Sequence, residues 1–480
     1  MRRVACVATL AAVLAVTGCK VGPNYTRATA PSAPAFKELA GWKPSAPRDG
    51  FDRGAWWSIY GDKLLDSLER QVEVSNQNVL AAVAAYQQAA ALTREARANL
   101  FPVIGVASGV TRAQQGGSSS GASFSRGPQT SYSVEGTASW DLDVWGKIRR
   151  QVESNAAAAQ VSAADLANAR LSAQGSLATD YFELLAADAQ VQLLRDTLVA
   201  FDRALKITQN QYSAGTVSRA DVIEAQVQVQ SAQAQLVAAG VARAQYEHAI
   251  AVLTGHPPSD LTIEEGKLTT VVPVVPTGVP SALLERRPDI AAAERTMQEE
   301  NALIGVAVAA YYPDISLSAV FGYAGDPIGQ VFNVANRVWS LGASASQTLF
   351  EGGLRPAAVE AARASYDQAV ATYRQTVLTA FQQVEDALSG LRILQNQAAA
   401  EHALVVASQR AVDVTLNEYQ AGTVAYTTVI TEQEALLSAQ QTELTVLQDR
   451  LVDSVALIQA LGGGWDTTQL APMQPDVALP

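Results

Sequence analysis

A six-residue segment occurs twice in this chain and strongly constrains how the chain can fold. Tyr212-Ser-Ala-Gly-Thr-Val217 returns as Tyr419-Gln-Ala-Gly-Thr-Val424, 207 residues later. Apolar or small residues precede each copy at every seventh position, in two rows that keep the same offset. These rows are Leu177, Leu184, Val191, Leu198, Leu205 and Tyr212, and Val384, Leu391, Ala398, Val405, Val412 and Tyr419. The shared segment and rows indicate an internal duplication in which each half folds back at this turn.

Long helical patterns lead into both turns. The first covers residues 147–211 and the second covers 355–418, and a continuous helix of this length extends about 100 Å. The other helical patterns are shorter and cover 64–99, 217–253, 281–311 and 425–461. We therefore expect two shorter helices to lie end to end along each long helix.

Between the helices, the period of the apolar residues changes from helical to two. Tyr132, Val134, Ala138 and Trp140 alternate with polar residues, which predicts a strand with one apolar and one polar face. Its predicted partner is 103–113, joined to it through a loop rich in Gly and Ser. The second half repeats the pattern, with strand residues from Ile315 to Tyr323 and from Trp339 to Leu349.

These hairpins have two interpretations. One is a soluble sheet whose apolar face covers a helical core. The other is a set of membrane strands, which need about 9–11 residues each and place aromatic residues near their ends. The strands alone favour neither interpretation. Five aromatic residues lie near the predicted strand ends: Tyr132, Trp140, Trp145, Tyr323 and Trp339.

The N-terminal sequence favours the interpretation of the hairpins as membrane strands. Arg2-Arg3 precedes an apolar stretch from Val4 to Val16 that is too short for a stable membrane anchor and is typical of an export signal. The signal ends in Val16-Thr-Gly-Cys19, a pattern typical of bacterial lipoproteins, in which the cysteine is lipidated and becomes the mature N-terminus. The alternative is an ordinary signal peptide with an incidental cysteine. Because Lys20, and not Asp, follows Cys19, we expect sorting to the outer membrane.

Composition argues against several classes of function. The formal net charge is −12, whereas binding nucleic acid needs a basic surface. The three histidines, His248, His256 and His402, are too far apart to suggest a metal site or a histidine-based catalytic site. No nucleophile elbow or cluster of carboxylates suggests a hydrolase. The sequence therefore predicts neither an enzyme nor a cofactor.

Five separated motifs resemble one protein family. They are Val21-Gly-Pro-Asn-Tyr25, the segment from Trp56 to Leu68, Leu283 to Arg295, Tyr312-Pro-Asp-Ile315, and Thr348 to Arg355. In these motifs the chain resembles the lipoprotein branch of the TolC-like outer-membrane factors, the exit ducts of tripartite efflux pumps. The motifs are spread over nearly the whole mature chain.

The resemblance implies a fold and a set of partners. Two hairpins supply four strands, whereas a membrane barrel needs at least about eight, so the chain must assemble with copies of itself. The residues alone allow two, three or four copies. The resemblance implies a homotrimer with a long α-helical barrel and a transmembrane β-barrel, embedded in outer-membrane lipid. It also implies a periplasmic membrane-fusion adaptor and an inner-membrane RND-type transporter as partners, and a passive duct for drugs or other organic compounds, with metal export left open.

A rival function is a lipid-anchored periplasmic coiled-coil scaffold without a pore. Heptad rows by themselves suit such a scaffold. A scaffold, however, does not need strands with one apolar and one polar face, so we prefer the duct.

The resemblance places both turns at the periplasmic tip, where the adaptor docks and the channel closes. The expected docking residues are Tyr212, Gly215, Thr216 and Val217, and Tyr419, Gly422, Thr423 and Val424. We expect the glycines to end the long helices with left-handed caps and the threonines to begin the next segments. The candidate aperture residues are Asp221, Glu224, Thr428 and Thr431. Family members often have an aspartate at the Thr431 position, so its absence argues against a simple aspartate ring.

The resulting division of the chain has six parts. They are a signal peptide (1–18), a lipidated tether (19–60), a first repeat of helix, β-hairpin, long helix and helix (61–260), a linker (261–280), a second repeat (281–465) and a C-terminal tail (466–480).

Overall fold

The computed structural model describes residues 20–31, 35–39, 55–114, 128–275, 286–465 and 470. The predicted signal peptide and the lipidation residue Cys19 lie outside these described residues. So do parts of the tether, of the linker and of the tail.

Within the described residues, seven α-helices follow the duplicated pattern of the sequence. In the first half they are α1 (Lys63–Ser75), α2 (Gln77–Ala98), α3 (Lys147–Ser213) and α4 (Arg219–Leu253). In the second half they are α5 (Pro288–Ala309), α6 (Leu354–Gln420) and α7 (Tyr426–Ala460). The prediction of one continuous helix over 64–99 is wrong, because the extended backbone of Asn76 separates α1 from α2. Helix α5 begins at Pro288, after the extended Arg287, and residues 281–285 of the predicted segment lie outside the described residues.

The two long helices organise the helical part of the chain. Helices α3 and α6 have 67 residues each, which corresponds to about 100 Å. α3 packs along α2, α4 and α5, and α6 packs along α5 and α7. The heptad rows supply buried contacts at Leu177, Leu184 and Val191 in α3 and at Val384 and Leu391 in α6. One face of each long helix is therefore apolar because it packs against its neighbours.

The shorter helices lie end to end, as predicted. Asn76, just before α2, donates from Nδ2 to the carbonyl oxygen of Leu253, the last residue of α4, over 2.8 Å. Arg287, just before α5, donates from Nη1 to the carbonyl oxygen of Ala460, the last residue of α7, over 3.0 Å. Each half therefore contains a pair of stacked helices beside a long one.

The four strands found among the described residues form one antiparallel sheet in the order β1-β2-β3-β4. Their bounds are Val103–Ala113 (β1), Gln129–Leu142 (β2), Asp314–Gly325 (β3) and Arg337–Ser346 (β4). The prediction that the returning strand of the second half extends to Leu349 is wrong, since β4 ends at Ser346 and Leu349 is exposed beyond it. Both β1 and β4 are edge strands in the single chain.

The register brings most of the large apolar residues of the four strands to one face. Directly opposed residues of neighbouring strands share a face, and the rows are Ile104–Ala138–Ala319–Leu341, Val106–Gly136–Phe321–Trp339 and Trp140–Leu317–Ala343. This face is not covered by the rest of the chain: Ile104 is 79% exposed and Leu341 is 76% exposed. The sheet therefore presents a broad apolar surface outward, which a soluble sheet over a helical core would not do.

The N-terminal tether lies along the helices without forming a domain. Phe36 is buried against Phe381 of α6, with ring centroids 6.3 Å apart. The backbone N–H groups of Lys37 and Glu38 both donate to the carboxylate of Glu385, over 2.6 and 2.9 Å. The prediction of an extended tether on the surface is confirmed for the described segments.

The described part of the linker, 261–275, contains neither helix nor strand. It is fixed by Arg243, which donates to the Ile263 carbonyl oxygen over 2.6 Å and pairs with the buried Asp188. Asp188 in turn accepts from the N–H of Gly266 over 2.8 Å. No described helix is both long and apolar enough to cross a membrane.

Candidate functional site

The two duplicated turns have the same backbone geometry. Gly215 and Gly422 follow the long helices with φ angles of 74° and 77°, the left-handed conformation that glycine adopts without steric cost. The N–H of Gly215 donates to the Tyr212 carbonyl oxygen over 2.9 Å, and Gly422 does the same to Tyr419. The prediction that both glycines form left-handed caps is confirmed. The threonine that follows each glycine also donates its backbone N–H to a carbonyl oxygen of the last helical turn, and the two bonds together make each turn a Schellman motif.

Thr216 and Thr423 close the preceding helix and do not start the next one. The backbone N–H of Thr216 donates to the carbonyl oxygen of Gln211 over 3.0 Å, and its hydroxyl donates to the same oxygen over 2.9 Å. Thr423 makes the same two bonds to Glu418 at the same distances. The sequence-based expectation for the threonines is therefore wrong, because a free helix-end carbonyl lies within reach of their hydroxyls.

The next helices begin differently in the two copies. Ser218 caps α4 through a capping box: its Oγ accepts from the Asp221 N–H over 3.3 Å, and the Asp221 carboxylate accepts from the Ser218 N–H over 3.1 Å. Ala425 precedes α7 and provides no side-chain cap. The carboxylate of Asp221 is thus already used to stabilise a helix end.

The two turns come together in the folded chain. Ala225 of α4 is buried in one cluster with Tyr419, Tyr426 and Val429 of the second repeat. Val217, Val424, Leu205, Leu416 and Ile430 pack against this cluster. Further along the helices, Gln228 donates from Nε2 to Oε1 of Glu434 over 2.8 Å. The tip of each chain is therefore a single packed unit of two helical hairpins.

The duplicated tyrosines have opposite environments. Tyr419 is only 5% exposed and packs against Tyr426 with ring centroids 5.1 Å apart, whereas Tyr212 is 47% exposed. Sequence reasoning did not identify Tyr426 as part of the tip. The equivalent position in the first copy is occupied by Arg219. A position-by-position comparison of the two copies would have revealed this difference. Tyr212 is thus available for a contact outside the chain, and Tyr419 is a structural residue.

The four aperture candidates separate into two groups. Asp221 and Glu224 are half-buried on α4, whereas Thr428 and Thr431 are exposed on α7. Within the described residues, no hydrogen bond or ion pair joins one group to the other. Burial raises the pKa of Tyr426 to about 12, and the nearby Tyr419 and Glu224 contribute in the same direction. Glu224 therefore lies close to the tyrosine pair, and its Oε2 is buried without a described hydrogen-bond partner.

At the other end of the helices, aromatic residues mark the boundary with the sheet. Trp145 stacks on Tyr312 with ring centroids 4.8 Å apart and donates its indole N–H to the Pro313 carbonyl oxygen over 2.9 Å. Trp140 donates to the Leu100 carbonyl oxygen over 2.9 Å. Indoles with an apolar ring and a satisfied N–H are typical of a membrane–water boundary.

The segment directly after Cys19 is fixed at this boundary. Val21 donates its N–H to the Trp145 carbonyl oxygen over 3.1 Å, and Lys20 pairs with Glu153 over 2.7 Å. The fully buried Arg150 donates to the carbonyl oxygens of Val21 and Gly22, over 3.1 Å in each case. The described chain therefore begins next to the base of the sheet.

Among the described residues, no group of three or more His, Cys, Asp or Glu side chains is arranged to hold a metal ion. The geometry instead combines three features: an exposed apolar sheet, long helices and a packed tip.

Known proteins share this arrangement. Residues 68–256 and 279–463 match the sequence model of a protein family described as outer membrane efflux protein. The solvent efflux pump outer membrane protein SrpC of Pseudomonas putida is 31% identical over 473 residues, covering 95% of this chain and 98% of SrpC. The cation efflux system protein CusC of Escherichia coli is 27% identical over 457 residues, covering 94% and 97%.

Solved structures agree in fold. The outer-membrane channel OprN superposes with a TM-score of 0.85 at 29% identity, over 93% of this chain and 100% of OprN. The Campylobacter jejuni CmeC outer membrane channel superposes with a TM-score of 0.87 at 21% identity, over 94% and 96%, which shows the fold alone.

Proposed function

Because this chain belongs to the outer membrane efflux protein family, we propose that three copies form the exit duct of a tripartite pump. The chain is an outer-membrane efflux channel with its helices in the periplasm, as its relatives and the fold show. In the proposed assembly, four strands from each copy close a barrel of twelve strands, and the helices continue it as a hollow cylinder. The duct is passive, and an inner-membrane transporter joined through a periplasmic adaptor supplies the energy.

One observation carries this function. With the exception of Val320 and Val338, the large apolar side chains of β2, β3 and β4 all lie on one face of the sheet. That face is exposed in the single chain. An open edge in lipid leaves backbone N–H and C=O groups unpaired, so β1 and β4 must pair with other copies. A scaffold without a pore would have no use for this surface.

Conductance of the purified protein in planar bilayers tests the duct. We expect stable, passive, ohmic conductance from a particle with the mass of three copies. A monomeric mass without conductance would contradict the proposal and favour the scaffold.

For the adaptor we propose the tip formed by the two turns, with Tyr212 as its exposed aromatic contact. Gly215, Thr216, Gly422 and Thr423 shape the turns, and Val217, Val424 and Tyr419 hold them together. Tyr212→Ala should weaken cross-linking to the adaptor at unchanged thermal stability. The same loss of cross-linking from an exposed residue far from the tip, such as Leu404→Ala, would contradict the assignment.

For the closed aperture we propose Glu224 as the principal residue on α4. Asp221 is occupied in the capping box, and Thr428 and Thr431 bring no charge. Glu224→Gln should increase the open fraction in bilayers, whereas Thr431→Val should not. Equal conductance of Glu224→Gln and the unmodified protein would reject this role.

For the cargo we propose small organic compounds, by analogy with the solvent efflux protein SrpC. The similarity to the cation efflux protein CusC favours metal cations as the second candidate. Growth of a channel-deficient host that expresses this chain with each matching pump, in toluene or in copper, distinguishes the two.

Acylation of Cys19 is a further proposal. It is tested by labelling with radioactive palmitate, and Cys19→Ala should abolish the label.

A further inference from the structure

Charged side chains are sorted between the two faces of the sheet. The four strands contain five charged residues: Arg112, Glu135, Asp141, Asp314 and Arg337. Glu135 pairs in register with Ala107, Asp141 with Ser316 and Asp314 with Ser346, so all three acids lie on the face opposite the apolar one. Both arginines lie on the apolar face.

The register fixes the face of each arginine. Arg337 is opposite Tyr323, which is opposite Val134, and these residues belong to the apolar face. Arg112 is opposite Thr130 and lies two residues beyond Val110 on the same side of β1. The apolar face therefore contains two charges, and they have the same sign.

Both arginines also lie at the same end of the sheet, the one away from the helices. Arg337 is the first residue of β4, and Arg112 is the residue before the last in β1. A charged side chain facing lipid costs least near the membrane surface, where it reaches the headgroups. Neither guanidinium forms an ion pair with a carboxylate among the described residues, and both side chains are exposed.

The loop beside Arg337 extends the apolar surface. Phe332 packs edge-on against Tyr323, with ring centroids 5.7 Å apart, so the loop bends over the apolar face. Ile328 and Val334 are exposed on the same loop, at 65% and 75%. Asn336 holds the loop by donating to the Gln330 carbonyl oxygen over 2.9 Å. A fixed loop with exposed apolar side chains beside an unpaired arginine suits a molecule that has both acyl chains and an anionic group.

We propose that Arg337 and Arg112 of the partner subunit form a site for the phosphate groups of outer-leaflet lipid, with the loop at Phe332 contacting its acyl chains. The inference rests on the proposed trimer, because β4 and β1 are the two free edges that pair between copies. Each β4–β1 seam would then carry one site. Guanidinium groups bind phosphate through paired, charge-assisted hydrogen bonds, and this explains why both residues are arginine.

Native mass spectrometry of the detergent-purified protein tests the site, with bisphosphorylated lipid A and phosphatidylcholine as probes. We expect the unmodified protein to retain lipid A in preference to phosphatidylcholine. Arg112→Ala and Arg337→Ala should each weaken retention about fivefold, as expected for one basic residue at an anionic lipid surface. Arg337→Lys should lose part of the affinity, because a lysine lacks the paired donors.

Arg94→Ala, an exposed charge on α2, is the matched control and should retain lipid A fully. Excess inorganic phosphate should fail to displace lipid A, because free phosphate lacks the acyl chains. Equal retention by the unmodified protein and the double variant would overturn the site, as would an equal loss from Arg94→Ala. Mass and conductance are measured on the same samples: a protein that is trimeric and conducts but ignores both arginines contradicts the lipid site alone.

Discussion

Asn76 and Arg287 make the same connection in the two repeats, each joining the end of one helix to the start of another. Asn76 accepts from the N–H groups of Asn78 and Val79 at the start of α2 while donating to Leu253 of α4. Arg287 pairs with Asp289 in the first turn of α5, at 3.0 and 2.6 Å, while donating to Ala460 of α7. We call each of these connections between helix ends a joint. The side chain is an amide in one joint and a guanidinium in the other, so the two repeats share the connection but not the residue that makes it.

Removing either joint should destabilise the helical part. Asn76→Ala removes a helix cap and leaves a helix-end carbonyl unpaired, which costs about 1–3 kcal/mol. Arg287→Ala should cost roughly 2–3 kcal/mol, because its bonds are charge-assisted and partly buried. Thermal unfolding in one detergent measures both. Asn78→Ala, an exposed amide in the same helix, should change stability by less than about 0.5 kcal/mol; an equal loss there would refute the assignment.

The turn glycines should resist substitution for a purely conformational reason. A Cβ on Gly215 or Gly422 would meet no atom within 4 Å, so the cost of Gly→Ala comes only from the left-handed backbone, about 1–2 kcal/mol. Hydrogen exchange of the Thr216 and Thr423 amides should accelerate in the respective variants. Gly240 lies inside α4 and also has no atom within 4 Å. Gly240→Ala should therefore stabilise by about 0.5–1 kcal/mol, and a destabilisation would contradict this explanation.

Substituting Gly22 should release the tether. This glycine has a φ of 87°, and its Cβ would lie 2.5 Å from the Cα of Gly305, so Gly22→Ala produces both strain and a backbone clash. Limited proteolysis followed by mass measurement should show faster cleavage near the N-terminus. Gly61 has a φ of 65° without any atom within 4 Å, so Gly61→Ala adds strain without a clash. If Gly61→Ala released the tether equally, the clash would not be the cause.

Glu69 should make stability depend on pH. It is completely buried in α1, and this burial, together with the nearby Glu73, raises its pKa to about 9. The folded chain therefore keeps a proton that the unfolded chain releases. The contribution of Glu69 to stability is therefore greatest below the unfolded pKa of about 4.5 and falls as the pH rises toward about 9.

Glu69→Gln should remove most of this fall. Unfolding temperatures measured between about pH 5 and about pH 8.5 should decline less steeply for Glu69→Gln than for the unmodified protein. Glu95→Gln, an exposed carboxyl on α2, should keep the original slope. Identical slopes in all three proteins would show that Glu69 is not the titrating group.

Local patterns of the sequence predicted much of the fold. The left-handed turn glycines and the bounds of β1 were predicted from residues close by in the sequence. The heptad spacing predicted the positions of α3 and α6. The break at Asn76 was missed because a helix can continue through asparagine. The break combines a local cap, in which Asn76 accepts from Asn78 and Val79, with a contact to Leu253 far along the chain.

The positions of the two turns were predictable from the sequence, but the packing around them was not. The repeated turn, the duplication and the family were determined by the sequence alone, because they depend on residue order and periodicity. The tertiary structure decided which tyrosine is buried, that Arg150 holds the tether, and that both sheet arginines share one face. These properties depend on pairing between segments that are distant in the chain, where burial and register are set by the whole fold.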